Sequence, residues 1–216
     1  MSNIVIFGGS GFVGLHFIEH LLINRNFNCI YSIDIKEPVE AFRINQYKKL
    51  KNNKKIIFIK KDIKDSLIEL NIKNVDLIVD FAAVHKEPGH NENEYYDTNV
   101  NGSKNICEFA KHVDCKNIIF TSSISVYGIG DHKKNENTEP NPSTPYGKSK
   151  LIAENNYLNW QNDNPKIRFL TICRPGVVFG PGENGNVTRL VKAIQKRIFF
   201  FMGNKDLKKG GIYIKE

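Results

Sequence analysis

A short apolar segment that runs directly into a glycine-rich turn constrains the fold more than any other feature. Residues 4–7 read Ile-Val-Ile-Phe, which suits a parallel strand buried on both faces. Glycines follow at positions 8, 11 and 14, and a helical pattern comes next in Phe17, Ile18, Leu21 and Leu22. Such a turn lets the backbone approach a pyrophosphate while free amides at the helix start bind its charge. The pattern predicts a dinucleotide site, although similar turns also form for packing alone.

The second apolar segment, residues 29–34, ends in an acid. A dinucleotide fold needs an acid at about this point for the adenosine ribose hydroxyls, and Asp34 occupies it. A carboxylate there accepts two hydroxyl hydrogen bonds and repels a 2′-phosphate. Asp34 therefore predicts NAD rather than NADP, although Lys36 nearby weakens the inference. The alternative role for Asp34 is a cap at the strand end.

Strand patterns alternate with helical patterns along the rest of the chain. Further strands are predicted at 56–59, 77–81, 118–121 and 169–172, and helices include 66–70 and 103–112. Strict alternation indicates a parallel sheet with right-handed crossovers, which is an α/β fold of the doubly wound Rossmann type. Residues 128–143 are rich in Asn, Lys and Pro and are a candidate lip of a substrate cleft.

A Tyr-x-x-x-Lys pair stands where a helix is expected to begin. Ser143 or Thr144 can cap the first free amides, and Pro145 fits the first helical position. Tyr146 and Lys150 would then project from one face, one turn apart. An adjacent ammonium and the positive end of the helix dipole both favour the phenolate, so Tyr146 is a candidate general base. The alternative is a surface tyrosine beside a solvated lysine.

Composition limits the kind of protein and its partners. The 216 residues are 40% hydrophobic and 25% charged, which suits one globular domain, or one domain plus part of another. The net charge is +8, but its densest basic run, residues 48–55, lacks interleaved aromatics or Arg. We therefore expect a solvated loop there and no nucleic-acid partner.

Cysteine usage and hydropathy indicate a cytoplasmic location. The four cysteines show no Cys-x-x-Cys spacing, and Cys29, Cys107 and Cys173 lie in apolar segments typical of a core. A reducing compartment fits this usage. No segment approaches the ~18 apolar residues of a membrane span, and the N-terminus leads into a strand rather than a signal peptide.

Together these motifs resemble those of the extended short-chain dehydrogenases, and within them the sugar epimerases and dehydratases. The resemblance covers essentially the whole chain. Ser123 resembles the catalytic hydroxyl, by its register on Val126-Tyr127-Gly128, and completes a catalytic set with Tyr146 and Lys150. No metal is expected. The cofactor-binding residues that the resemblance implies are Gly8, Gly11, Phe12, Val13, Gly14, Asp34, Asp62, Ile63, Phe81, Ala82, Ala83, Asn99, Tyr146, Lys150 and Pro175.

The resemblance implies hydride chemistry on a sugar. Tyr146 would take the hydroxyl proton, Lys150 would keep the phenolate ionised and hold the nicotinamide ribose, and Ser123 would fix the geometry. In an epimerase the 4-keto sugar turns over and regains hydride on its other face, which regenerates NAD. The 4,6-dehydratases carry an Asp-Glu pair where this chain has Ile124 and Ser125, so dehydration by that route is disfavoured.

Two positions leave the substrate open. His85 stands where many sugar 4-epimerases carry a lysine, and it would either contact the substrate diphosphate or only line the cleft. The family's chains usually run about a hundred residues further, so we expect a cofactor domain at 1–175 and the start of an incomplete substrate lobe at 176–216. The tail also resembles that of shorter relatives that epimerise polyprenyl-diphosphate-linked sugars. Residues 198–202, with basic neighbours, would touch a lipid surface or, more commonly for such a run, form a buried strand.

The predicted function is therefore an NAD-dependent 4-epimerase of a nucleotide- or polyprenyl-diphosphate-linked hexose, acting as a homodimer in surface polysaccharide synthesis. Its location would be cytoplasmic or at the inner membrane face. The alternatives are an NAD-dependent sugar dehydrogenase or reductase, and an NAD-binding module without a complete substrate site.

Overall fold

The computed structural model describes residues 3–24, 27–86, 89–130, 133–200 and 210–216. Its strands are β1 (Asn3–Phe7), β2 (Cys29–Asp34), β3 (Ile56–Lys60), β4 (Val75–Asp80), β5 (Asn117–Thr121), β6 (Phe169–Cys173), β7 (Val177–Phe179) and β8 (Gly211–Tyr213). Its helices are α1 (Phe12–Asn24), α2 (Ala41–Lys51), α3 (Glu92–Tyr95), α4 (Gly102–His112), α5 (Pro145–Asn162) and α6 (Asn186–Gln195). A π-helical turn, Tyr96–Asn101, joins α3 to α4.

Strands β1 to β6 form one parallel sheet in the order β3-β2-β1-β4-β5-β6. This is the strand order of the doubly wound dinucleotide-binding fold, so the predicted Rossmann-type architecture is confirmed. The order reverses between β1 and β4, and ligands of such sheets bind outside the carboxyl ends of the strands at that reversal. Strands β7 and β8 pair in a separate parallel sheet.

Helices cover both faces of the sheet, as a parallel sheet requires. On one face, α1 and α2 bury Leu15, Ile18 and Leu50 against the apolar side chains of β1 and β2. On the other face, α4 and α5 bury Phe109 and Trp160 in a second cluster. The apolar run at 4–7 in β1 follows from this arrangement, because every residue of the strand is buried.

Helix α5 begins as its sequence predicts. Thr144 is the N-cap residue, and its hydroxyl accepts a hydrogen bond from the Gly147 amide at 3.1 Å. Pro145 occupies the first helical position, where its missing N–H leaves no donor unpaired. The buried residues of α5 recur at helical spacing and include Lys150, Ala153, Glu154, Tyr157 and Trp160.

Several expectations were wrong in detail. The predicted helix at 66–70 is only a 3-10 turn, Ile68–Leu70. The basic run at 48–55 is not simply a loop, because Lys48, Lys49 and Lys51 lie in the last turn of α2. Positive charges there interact favourably with the negative end of the helix dipole. Cys173 is exposed on β6, whereas Cys115, which was not expected in the core, is buried.

The aromatic run near the C-terminus also differs from the favoured interpretation. Residues 198–200 form no strand, and the side chains of Ile198, Phe199 and Phe200 are exposed. Residues 201 and 202 lie outside the described residues. Among the described residues, no helix combines the length and hydropathy that crossing a membrane requires.

Candidate active site

The glycine turn lies between the carboxyl ends of β1 and β4. Gly8 has a φ of +75°, and a Cβ atom there would lie 2.7 Å from the Ala82 amide nitrogen. At Gly14 a Cβ would lie 2.5 Å from the Gly8 carbonyl oxygen. The turn is therefore a cradle that side chains would fill, with the start of α1 behind it. These features fit the pyrophosphate of a dinucleotide.

Asp34 lies at the end of β2, next to this turn. Its Oδ2 accepts a hydrogen bond from the Ser10 amide at 3.0 Å. Partial burial raises the pKa of Asp34, and the amides of Ser10, Lys36 and Ile35 oppose that shift. The carboxylate thus stands at the edge of the glycine turn, where an adenosine ribose would be bound.

The two residues expected beside the adenine follow β3. Ile63 is buried, and its side chain packs so closely against Gly102 that a Cβ there would lie 2.4 Å from Ile63 Cδ1. Asp62 Oδ1 accepts a hydrogen bond from the Lys64 amide at 2.9 Å. The Asn105 side-chain amide holds the Ile63 carbonyl at 2.8 Å, which fixes this turn against α4.

The segment after β4 carries Phe81, Ala82 and Ala83. The Phe81 amide donates to the Phe7 carbonyl at 2.9 Å, and the Phe81 ring packs edge-on against Phe17, with the ring centroids 5.4 Å apart. Pro175, which follows the edge strand β6, accepts a backbone hydrogen bond from Ile124 at 3.1 Å. These residues flank the carboxyl ends of the central strands.

Asn99 is buried in the π-helical turn and connects two parts of the site. Its Oδ1 accepts from the Val84 amide at 2.9 Å, and its Nδ2 donates to the Val84 carbonyl at 3.1 Å and to Ser149 Oγ at 2.9 Å. Ser149 Oγ in turn donates to the Tyr146 carbonyl at 2.8 Å. Asn99 therefore positions Lys150 indirectly. It anchors the first turn of α5 through Ser149, the residue before Lys150, and not through a hydrogen bond to the Lys150 ammonium.

The three predicted catalytic residues lie on two elements. Ser123 follows β5 and caps the 3-10 turn Ile124–Tyr127, accepting from the Ser125 amide at 3.1 Å. Tyr146 is partly exposed in the first turn of α5, and its ring lies 6.2 Å from that of Tyr95, between centroids. Lys150, one turn later on the same helix, is buried.

Lys150 has an unusual environment for a lysine. Its side chain is 2% exposed, and Nζ lies 4.2 Å from the centroid of the Phe120 ring. Burial lowers the pKa of Lys150 to about 8, while the negative charges of Asp80 and Glu154 oppose that shift. The ammonium therefore loses its proton more readily than that of an exposed lysine.

Sequence reasoning missed the acids around Lys150. Asp80 ends β4, is 2% exposed, and accepts hydrogen bonds from the Tyr157 hydroxyl at 2.7 Å and the Ala82 amide at 2.9 Å. Glu154 is fully paired with Arg174, whose guanidinium donates to its two oxygens at 2.9 and 2.6 Å. The available signal was an acid directly after the apolar run at 77–79, since acids are rarely buried unless paired.

His85 lies close enough to Lys150 for their charges to interact. Burial lowers the pKa of His85, and the positive charge of Lys150 adds to the shift.

A cavity of about 520 Å³ is lined partly by the predicted lip, including Gly128, Lys134 and Asn135. None of the three predicted catalytic residues lines this cavity, so it neighbours the site without enclosing it. Within the described parts of the chain, no cluster of His, Cys, Asp or Glu could hold a metal ion.

Known proteins are similar to this chain in sequence and in fold. The N-acetyl-alpha-D-glucosaminyl-diphospho-ditrans,octacis-undecaprenol 4-epimerase of Escherichia coli O157:H7 is 34% identical over 94% of this chain and 56% of its own length. The decarboxylating sterol-4-alpha-carboxylate 3-dehydrogenase ERG26 of Candida albicans is 32% identical over 85% of this chain and 52% of its own length. The chain thus spans little more than half the length of these curated relatives.

A solved structure gives the same picture of the fold. UDP-glucuronic acid 4-epimerase from Bacillus cereus superposes with a TM-score of 0.84, covering 98% of this chain and 69% of that one at 24% identity. The sequence profile of the 3-beta hydroxysteroid dehydrogenase/isomerase family matches residues 5–216. The resemblance to extended short-chain dehydrogenases is therefore confirmed, and the chain belongs to the 3-beta hydroxysteroid dehydrogenase/isomerase family within that group.

Proposed function

We propose that this chain is an NAD-dependent epimerase that inverts C4 of a diphosphate-linked hexose or N-acetylhexosamine through a 4-keto intermediate. The observation that carries the proposal is the pair on α5, where Tyr146 is followed one turn later by the buried Lys150. The undecaprenol-linked 4-epimerase relative supports the choice of reaction and substrate.

The residues of this chain would divide the chemistry between them. Tyr146, as phenolate, takes the proton from the sugar 4-hydroxyl and returns it after the ring has turned over. The Lys150 ammonium favours that phenolate, and the N-terminal dipole of α5 acts in the same direction. Ser123 hydrogen-bonds the same sugar oxygen and limits its motion. NAD, when bound, supplies the hydride acceptor and donor.

The cofactor would be held by the carboxyl edge of the sheet. Gly8, Gly11 and Gly14, with the amides of Phe12 and Val13, would hold its pyrophosphate. Asp34 would accept both adenosine ribose hydroxyls, which favours NAD over NADP. Residues 1–175 would thus form the cofactor domain, with residues 176–216 contributing to a substrate lobe. The remaining contacts would come from Asp62, Ile63, Phe81, Ala82, Ala83, Asn99, Lys150 and Pro175.

The substrate carrier is a nucleotide or a polyprenyl diphosphate. The second carrier would bring the protein to the inner face of the membrane. Exposed apolar residues near the end of α6, including Ile194, Ile198 and Phe200, lie in sequence beside Lys196 and Arg197, a composition suited to an anionic lipid surface. We further propose a cytoplasmic homodimer, formed through the helical segments that carry Asn99 and Tyr146, that serves surface polysaccharide synthesis.

A net dehydrogenase is the second candidate, and the sterol 3-dehydrogenase relative favours it. The two functions differ in what happens to the cofactor. An epimerase returns hydride to the same molecule, so NADH does not accumulate. A dehydrogenase releases an oxidised product and leaves NADH at a one-to-one ratio.

The deciding experiment incubates the purified chain and NAD with nucleotide- and polyprenyl-diphosphate-linked hexoses. Epimer formation, by NMR or chromatography, without absorbance at 340 nm supports the proposal. Stoichiometric NADH indicates the dehydrogenase, and NAD binding without turnover on any sugar indicates a binding module.

Replacing Tyr146 by Phe tests the assigned base. It should lower the turnover rate by about 10²–10⁴-fold, the usual contribution of a general base, while the Kd for NAD changes little. Tyr31→Phe, which removes a hydroxyl from β2, is the matched control and should keep full activity. A Tyr146→Phe enzyme with wild-type turnover would exclude this residue as the base.

A further inference from the structure

Two buried residues, Asp80 and Phe120, act on the Lys150 ammonium, and a third, Tyr157, contacts both of them. Asp80 at the end of β4, Phe120 in β5 and Tyr157 in α5 are each no more than 2% exposed. The Phe120 ring contacts Lys150 on one side and the Tyr157 ring on another, at 4.2 Å from Nζ and 4.5 Å between ring centroids. Tyr157 donates its hydroxyl proton to Asp80 at 2.7 Å. Contacts within the protein therefore orient the members of this cluster.

The charge balance inside this cluster depends on Asp80. Glu154 is the other acid that acts on Lys150, but Arg174 pairs with both of its oxygens. Among the residues that the structure describes, no Lys, Arg or His nitrogen lies within 4 Å of the Asp80 carboxylate, which accepts hydrogen bonds from the Tyr157 hydroxyl and the Ala82 amide. Other titratable groups near Lys150 or Asp80 are Tyr146 one turn before Lys150 on α5, His85 after β4, Cys107 in α4 and Tyr157 itself. Asp80 is thus the unneutralised negative charge available to Lys150.

We propose that Asp80 is a positioning residue, oriented by Tyr157, whose buried carboxylate keeps Lys150 charged and thereby sets the pH range in which Tyr146 can act as a base. Only the predicted effect on Tyr146 as a base rests on the proposed function. The ionic coupling between Asp80 and Lys150 exists whether or not the chain turns over a sugar.

The directions of the pKa shifts agree with this role. Burial raises the pKa of Asp80, and Lys150 opposes the shift. Burial lowers the pKa of Lys150, and Asp80 is the largest opposing influence. Each group therefore stabilises the charged form of the other. Without the carboxylate, Lys150 would lose its proton at a lower pH, and the phenolate of Tyr146 would lose its neighbouring cation.

The direct test is the titration of Lys150 in Asp80→Asn by ¹³C NMR of its Cε, without cofactor. The amide keeps the acceptor for Ala82, and the Tyr157 hydroxyl can reverse to accept from it. We expect the Lys150 midpoint to fall by about one pH unit or more. Asp76→Asn, on the exposed face of β4, is the matched control and should leave the midpoint in place. A Lys150 midpoint that stays within about 0.3 pH units of the wild-type midpoint overturns the proposal.

The reciprocal variant covers the case in which Asp80→Asn does not fold. Because coupling is mutual, Lys150→Met should raise the midpoint of the Asp80 carboxyl, followed by ¹³Cγ NMR. An unchanged Asp80 midpoint contradicts the proposal. In the active enzyme, Asp80→Asn should also move the alkaline limb of the pH–rate profile down by the same amount as the Lys150 midpoint. If the titrations shift but no sugar turns over, the proposed function fails while the coupling stands.

Discussion

Glycine is required at position 8 for two separate reasons. The backbone has a φ of +75°, which side chains with a Cβ rarely adopt, and the added Cβ would lie 2.7 Å from a main-chain nitrogen that cannot move aside easily. That nitrogen belongs to Ala82, which follows β4 across the cofactor crevice. The glycine therefore decides how closely β1 and β4 approach at the point where the dinucleotide would bind.

Gly8→Ala should weaken NAD binding by more than tenfold. It should also lower the free energy of unfolding by about 1–3 kcal/mol, the usual cost of a strained backbone conformation. Calorimetric titration with NAD and urea denaturation measure the two effects. The matched control is Gly210→Ala, since a Cβ there meets no described atom within 4 Å. Wild-type NAD affinity in Gly8→Ala would show that this turn does not hold the cofactor.

The elements differ in how clearly the sequence predicts them. Buried parallel strands are continuous apolar runs, so β1 and β2 are predictable nearly to the residue. Helix α2 has few apolar positions and gives no such signal. The short pattern at 66–70 satisfies helical spacing, but it closes after one 3-10 turn at Asn71, which adopts a left-handed conformation.

The candidate site was predictable where it depends on local motifs. Tyr146 and Lys150 are related by one helical turn, and Gly8 to Gly14 by one strand-to-helix turn, so spacing alone indicates them. The Asp80–Tyr157 hydrogen bond joins residues 77 positions apart. Only the tertiary packing of α5 on β4 and β5 reveals such a pair. The same holds for Arg174 and Glu154, since one belongs to the strand end and the other to the helix.

The Arg174–Glu154 pair fixes the middle of α5 to the end of β6. Glu154 is 1% exposed in its side chain, so removing Arg174 would leave a buried carboxylate unpaired. Arg174→Met should lower the free energy of unfolding by about 3 kcal/mol, measured by urea denaturation, because breaking a buried pair costs about 3–5 kcal/mol and Arg174 is partly exposed.

Two comparison variants separate pairing from general disruption. Lys111→Met breaks an ion pair with Asp163 between groups that are each about half exposed, and it should cost less than about 1 kcal/mol. The double variant Arg174→Met/Glu154→Met should recover much of the lost stability, since no charge remains buried. If Arg174→Met is no more destabilising than Lys111→Met, the pair does not anchor the helix.

At the scale of the whole molecule, buried thiols link folding stability to pH. Burial raises the pKa of Cys107 to about 12 and that of Cys115 to about 11. In the unfolded chain these thiols would ionise near pH 9, the ordinary value. The unfolded state therefore releases protons first, and stability is full below pH 9 and falls as the pH rises toward 11 and 12. Lys150 acts in the opposite sense between about pH 8 and its ordinary value of 10.5, since the folded state releases its proton first.

Cys107→Ala should therefore flatten the alkaline loss of stability. Each buried thiol contributes a slope of up to about 1.4 kcal/mol per pH unit above pH 9, so the variant should lose less stability than wild type between pH 9 and 10.5. At pH 7 it should be less stable, because the sulfur fills space in the core beside Asn156. Urea denaturation at pH 7, 9 and 10.5 measures both effects. Cys173→Ala, at an exposed position on β6 where partial burial also raises the thiol pKa, should flatten the slope less than Cys107→Ala. Equal alkaline slopes for Cys107→Ala and wild type would mean that this thiol ionises alike in both states, and that other groups cause the loss.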